Sequence, residues 1–269
     1  MTDARPDTRF PSLPADDAGD GLIITAAALV IGDEILSGRI REKNAGHLAT
    51  VLTAIGIDLK EVRIVGDDEA AIIEAVNALR ARHTYLFTSG GIGPTHDDIT
   101  AEAVSKALGL PCEHDAAAMR LLGDHYEKRG LEFTEARKRM TRMPEGAVHI
   151  DNPVSVAPGF VIGNVHVMAG VPAVFQAMLD HVVPTLRTGR VLLSRSVPCP
   201  HGEGVIGEPL AAIQGQFPDI AIGSYPKFDA GRFWTEIVMR GADDAQLERA
   251  QEAVAQMIAG LDADTAAAS

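Results

Sequence analysis

The run Leu22-Ile23-Ile24-Thr25-Ala26-Ala27-Ala28-Leu29-Val30-Ile31, closed by Gly32-Asp33-Glu34, constrains the fold of this chain more than any other segment. It offers no polar face. A strand with one wet side would alternate, so this one is expected to be covered on both sides, as inner strands of parallel sheets are. It is also too short to cross a bilayer, which takes about 18 apolar residues, and no other stretch reaches that length. A helical period follows it. Asn44 is a candidate N-cap, Leu48, Val51, Leu52 and Ile55 share a face, and Gly56 stands where a C-cap belongs.

The unit then recurs. Ile57 to Val65 reads as a strand ending at Gly66-Asp67-Asp68, Glu69 to Arg82 as a helix, Tyr85 to Thr88 as a strand ending at Ser89-Gly90-Gly91, and Asp97 to Leu108 as a helix closed by Gly109. Strand and helix alternating at this rhythm predict a mostly parallel sheet with right-handed crossovers. Further on, helices are expected over 115–129, 132–140 and 172–186, and a hairpin over 159–168 turned at Gly163-Asn164. Composition shifts near Thr188-Gly189-Arg190. Beyond it the order is strand (191–197), helix (203–214), strand (220–225), strand (233–240) and helix (244–258), a small α+β unit. The domain expectation is a Pro- and Asp-rich disordered leader (1–20), a main α/β domain (21–188), the small domain (189–262) and a frayed tail (263–269).

Acids outnumber bases 37 to 24, a formal charge of −13. That field repels nucleic acid, whose binding rests on Lys and Arg meeting phosphates. A small phosphate ligand survives it, because backbone amides and a cation outweigh the mean field locally. The cysteines, Cys112 and Cys199, stand far apart with no metal-binding spacing and read as reduced thiols. With no basic-then-apolar leader and no membrane span, a cytoplasmic protein is expected.

The chemistry is expected in Thr88-Ser89-Gly90-Gly91-Ile92-Gly93-Pro94-Thr95-His96-Asp97-Asp98. A strand ends, three glycines follow within four residues, and a helix is expected to open. Glycine admits positive φ and close approach, successive N–H groups make a concave anion site, and the helix terminus adds partial positive charge. Asp97 and Asp98 read in two ways. They are helix-start acids, with Thr95 as N-cap, or they hold a divalent cation that would otherwise be needed to stop two carboxylates repelling the ligand. Asp33 and Asn44, at the end of the first strand and the start of the next helix, face the same crevice if their strands are neighbours. Ala169-Gly170-Val171-Pro172 is a third strand-to-helix turn, and Gly66-Asp67-Asp68 a fourth, weaker one. His96 reads as a donor to phosphate or a solvated bystander.

This combination resembles the molybdopterin-binding, or MoaB/Mog-like, family, most of all its competence/damage-inducible (CinA) branch and the related domain of FAD synthase. The matching residues are Ile31 to Gly38, Asn44, Val65-Gly66-Asp67, Thr88 to Thr100, Met143-Pro144-Glu145-Gly146, Asn152-Pro153, Ala157-Pro158-Gly159-Phe160 and Gly170-Val171-Pro172. The resemblance implies a three-layer α/β/α domain followed by a small KH-like domain. It implies a pocket for a pterin phosphate or a nucleotide diphosphate, and a homo-oligomer. By position, Gly32, Asn44, Gly90, Gly91, Gly93, Thr95 and Gly170 would bind the ligand. Asp33, Asp97 and Asp98 would be catalytic, the last two on Mg, Mn or Co. No amidase domain follows, so deamidation is not expected. The third loop departs from the family at Ala169 and Val174, where proline and glutamate are usual.

Three functions are compatible with these residues: metal-dependent hydrolysis of a nucleotide diphosphate such as ADP-ribose or FAD, with Arg39, Lys43 and His96 as candidate helpers; molybdopterin binding or adenylyl transfer; and nucleotide sensing without turnover.

Overall fold

The computed structural model describes residues 23–229 and 231–267, so the leader expected over 1–20 lies outside the described residues. They divide between Arg190 and Val191 into two compact units.

The first unit contains, in chain order, β1 (Ile24–Ile31), α1 (Asp33–Leu36), α2 (Asn44–Ala54), β2 (Ile57–Val65), α3 (Glu69–Arg82), β3 (Tyr85–Ser89), α4 (Thr100–Leu108), β4 (Cys112–His114), α5 (Ala116–Lys128), α6 (Glu135–Lys138), β5 (Arg142–Pro144), β6 (Val148–Ile150), β7 (Gly159–Ile162), β8 (Val165–Met168) and α7 (Pro172–Val182). Six strands form one sheet in the order β2-β1-β3-β8-β7-β6. The first four run parallel, and β7 turns back along β8 as a hairpin. The sheet is therefore mostly parallel, with β1 in its interior, and seven of β1's eight residues are buried, as its unbroken apolar run requires.

Each face of the sheet has its own core. On one side Leu48 and Leu52 of α2 and Phe175, Met178 and Leu179 of α7 pack on Ala26, Ala28 and Phe87. On the other, Ile72, Val76 and Leu79 of α3, Val104 of α4 and Ala118 of α5 pack on Ala27, Leu29 and Leu86. Alternate residues of single strands thus feed opposite layers, which makes the three-layer α/β/α architecture.

Several expectations need correction. Asn44 is not the N-cap of α2. Lys43 is, and the first amides are met by Glu42, whose Oε1 accepts from Asn44 N (2.6 Å) and Ala45 N (2.8 Å). Helix α4 begins at Thr100 rather than Asp97, because Asp98 turns its carboxylate back to Thr95 and holds 95–98 as a turn. Thr95 therefore caps no helix. The helix expected over 132–140 shortens to α6 and a 3₁₀ turn (Arg139–Thr141), and that over 172–186 ends at Val182 before another (Val183–Thr185). The short strands β4, β5 and β6 lack a period long enough to read from sequence.

The second unit contains β9 (Leu193–Cys199), α8 (Glu203–Gln216), β10 (Ala221–Asp229), β11 (Arg232–Gly241) and α9 (Asp244–Ala267). Its sheet is antiparallel in the order β10-β11-β9. Ile206, Leu210 and Ile213 of α8 and Leu247, Ala250 and Val254 of α9 cover Ile237 and Met239 of β11, an α+β arrangement. Helix α9 runs to Ala267, past the Ile258 at which its apolar period was expected to end, and Leu261 of this added stretch packs, partly buried, on the same core. Among the described residues no helix is long and apolar enough to cross a membrane.

Candidate functional site

Parallel strands place their carboxyl ends on one edge of the sheet, and ligands of open α/β sheets bind there. In this chain β1, β3 and β8 end side by side, and β7, running the other way, begins beside them. The loops after β1, β3 and β8 and the loop before β7 enclose a cavity of about 470 Å³. That volume falls within the range of small-ligand pockets.

The glycine loop forms one wall. Gly90 (φ +111°) and Gly91 (φ +70°) hold backbone conformations that favour glycine. Both lie against other parts of the chain: a Cβ on Gly90 would overlap the Ile31 carbonyl, and one on Gly91 the Thr100 hydroxyl. The loop is closed from within. Gly90 N donates to Met168 O (3.1 Å), Thr100 N to Gly91 O (3.0 Å) and Thr100 Oγ1 to Gly90 O (3.0 Å). One amide of the glycine series is thereby spent. Those of Gly91, Ile92 and Gly93 have no partner among the described residues, and all three residues line the cavity. Three successive amides without partners on a concave wall are an arrangement able to hold an anion.

Asn44 joins the walls. Only 5 % exposed, it donates from Nδ2 to Ser89 Oγ (2.7 Å) at the end of β3 and to Gly170 O (2.8 Å) in the β8–α7 turn. Its Oδ1 is buried without a partner. One carboxamide thus ties the start of α2 to two of the loops. Opposite, the 152–157 loop is braced by Asn152, which accepts from Val154 N and Ser155 N and donates to Ser155 Oγ and Ala157 O. Val156 in this loop has φ +70°, the one positive φ outside glycine among the described residues.

The acids come from three loops. Asp98 Oδ2 accepts from Thr95 N (2.8 Å) and Thr95 Oγ1 (2.5 Å), and Arg139 Nη2 donates to Asp98 O (3.1 Å). Hydrogen bonding from the Thr95 side chain, helped by Asp97's own backbone amide and by His96, lowers the pKa of the Asp97 carboxyl below its ordinary value. Asp67 is raised, first by burial and then by the nearby charges of Asp33, Glu34 and Asp97, although it accepts from Asp33 N (3.0 Å). Asp33, Asp67 and Asp97, distant in sequence, are therefore electrostatic neighbours.

Of the residues expected at the site, Asn44, Gly90, Gly91, Gly93, Asp98 and Gly170 line the cavity; Gly32, Asp33, Thr95 and Asp97 do not. Gly32 instead donates its amide to Val65 O, and Asp97 is solvent-exposed beside the wall. Ala169 and Val174, where the chain departs from the family, are both lining residues. Sequence reading missed Glu34, Arg41, Met140, Asn152 and Ser155. The Asn152-Pro153 and Ala157-Pro158 pairs were the available signal for the last two; Met140, isolated in sequence, carried none.

Comparison with known proteins agrees with this fold. A family model described as a probable molybdopterin binding domain matches residues 27–188, and one described as the middle domain of FAD synthase matches residues 191–264. A protein of Caldivirga maquilingensis is 33 % identical over 87 % of this chain and 95 % of its own length. One of Pyrobaculum arsenaticum is 35 % identical over 75 % and 80 %. Among solved structures, the protein CinA, of unknown function, from Thermoplasma acidophilum is 32 % identical with a TM-score of 0.55, covering 60 % of this chain and 96 % of that one.

Proposed function

This chain belongs to the family of probable molybdopterin binding domains, and from that premise we propose that its first unit is a metal-dependent hydrolase of a nucleotide diphosphate of the ADP-ribose or FAD type. The observation that carries the reading is the row of unpartnered amides at Gly91, Ile92 and Gly93 on the wall of the cavity. Amides held in place by the fold stabilise phosphoryl oxygens as charge develops on them, without reorganising. Asn44 keeps the walls in register. The match of the second unit to the middle domain of FAD synthase lends support to a nucleotide-bearing ligand.

No group of three or more His, Cys, Asp or Glu side chains suited to a metal ion occurs among the described residues. The donor set therefore fits a cation shared between one or two carboxylates and the ligand's phosphates, the usual habit of Mg²⁺, better than a closed protein site. Asp98, on the cavity wall with Oδ2 engaged by Thr95, and Asp97 beside it would hold the cation. When bound it supplies charge neutralisation and acidifies water. Asp33 and Asp67 lie outside the cavity lining, and the charge of Asp97 reaches Asp67 together with that of Asp33.

The test is release of mononucleotide from ADP-ribose, FAD or NADH with Mg²⁺, Mn²⁺ or Co²⁺. Turnover supports the hydrolase; binding without turnover would favour a nucleotide sensor. A second reading, molybdopterin binding or adenylyl transfer, draws on the family's description. Pterin fluorescence in the purified protein, or adenylylation of molybdopterin, would favour it. A homo-oligomer in the cytoplasm belongs to the same proposal, and light scattering after size exclusion measures the assembly.

A further inference from the structure

The strip Gly38-Arg39-Ile40-Arg41-Glu42-Lys43 crosses the lip of the cavity between α1 and α2, and Arg41 and Lys43 are lining residues. Its charges are out of balance. The one acid, Glu42, turns its Oε1 inward to cap α2 through Asn44 N and Ala45 N. The cations are left exposed, and no ion pair or hydrogen bond forms to the side chains of Arg39, Arg41 or Lys43 among the described residues. Elsewhere in this unit many cations are matched: Lys60 by Asp58, Arg63 by Glu61 and Glu74, Lys106 by Glu69, Lys138 by Glu135, and Arg139 and Arg142 by Glu102. In a chain of net charge −13, acids are plentiful, so unmatched cations lining a ligand-sized cavity point to an anion that is not part of the chain.

Resting on the function proposed above, we infer that Arg41 and Lys43 form a second anion subsite, distinct from the Gly91–Gly93 amides. It receives the second phosphoryl group of a diphosphate ligand while the amides hold the first. Guanidinium and ammonium groups serve this purpose because their hydrogen bonds to phosphate are charge-assisted, stronger than neutral ones. The apolar part of the cavity, from Ile35, Ile40, Ile92, Met140 and Val174, is left for a ring. A ligand with one phosphate would satisfy only one subsite, so the strip sets the preference for diphosphate over monophosphate.

The experiment measures dissociation constants of AMP and of methylene-bridged, non-hydrolysable ADP-ribose, with Mg²⁺, for the full chain and for R41Q/K43Q. Both side chains are exposed and, among the described residues, unpaired, so the variant should keep the wild-type melting temperature, which circular dichroism checks. The wild type is expected to prefer the bridged ligand at least tenfold, and the variant to lose that preference while its AMP affinity changes by less than about threefold, since each charge-assisted contact is worth about tenfold. An unchanged preference in the variant, or none in the wild type, overturns the subsite and leaves the amide wall standing. If the wild type binds neither ligand, the function proposed above fails and the subsite with it.

Discussion

Replacing His166 by leucine should flatten the dependence of stability on pH. His166 lies on β8, 4 % exposed, between the ring of Phe87 (centroids 4.9 Å apart) and that of Tyr85 (5.6 Å), and its Nδ1 is buried without a partner. Burial among these groups lowers its pKa from the ordinary 6.5 to about 4, against a small upward pull from backbone near Asn164 and Leu86. The folded state therefore holds the imidazole neutral where the unfolded chain has begun to protonate it. A lowered folded value gives stability that is complete above pH 6.5, declines as the pH falls from 6.5 towards 4, and is constant below. At 1.36 kcal/mol per decade of proton affinity, the difference between these two values is worth about 3 kcal/mol, of which about 2 kcal/mol is already lost at pH 5. Urea denaturation of wild type and H166L at pH 8, 6.5 and 5 reads this directly. Other titrating groups cancel in the difference between the two proteins, provided that they do not touch the site. The wild-type curve should fall from pH 8 to pH 5 by about 2 kcal/mol more than that of the variant. Parallel curves would refute the reasoning, because they would mean that His166 carries the same proton in both states.

Other outcomes follow from the cavity walls. Asn44→Ala removes one buried and one part-buried hydrogen bond that tie α2 to the ends of β3 and β8, and should lower unfolding free energy by about 2 kcal/mol and nucleotide affinity at least tenfold, by denaturation and calorimetry. Gly91→Ala puts a Cβ into the Thr100 hydroxyl at φ +70°, so a loss of about 1–3 kcal/mol is expected, together with loss of phosphate binding. Val156→Gly relieves the positive φ of a β-branched residue and should raise stability by about 1 kcal/mol, read as a higher melting temperature. D97N and D98N should each weaken Mn²⁺ affinity in the presence of nucleotide; if both leave it unchanged, neither acid holds the cation.

The sequence alone determined the layering. An apolar run with no polar face can only be an inner strand, and β2, α3, β7 and β8 have the limits that their periods predict, because period and burial are local consequences of residue order. The glycines, the paired aspartates and Asn44 were likewise visible as a strand-to-helix pattern. Tertiary structure decided what these residues do. Asn44 leaves the capping to Glu42 and spans to Ser89 and Gly170, which are 45 and 126 positions away. Asp98 serves Thr95 in place of a helix start, and Gly90 gives its amide to Met168. The cavity wall at Met140 and Asn152, and the approach of Asp33 to Asp67 and Asp97, also exist only once strands order themselves as β2-β1-β3-β8-β7-β6. Spacing along a chain specifies which face a side chain takes. Which loops share an edge depends on how the strands are ordered, and that is set by packing between residues far apart in the chain.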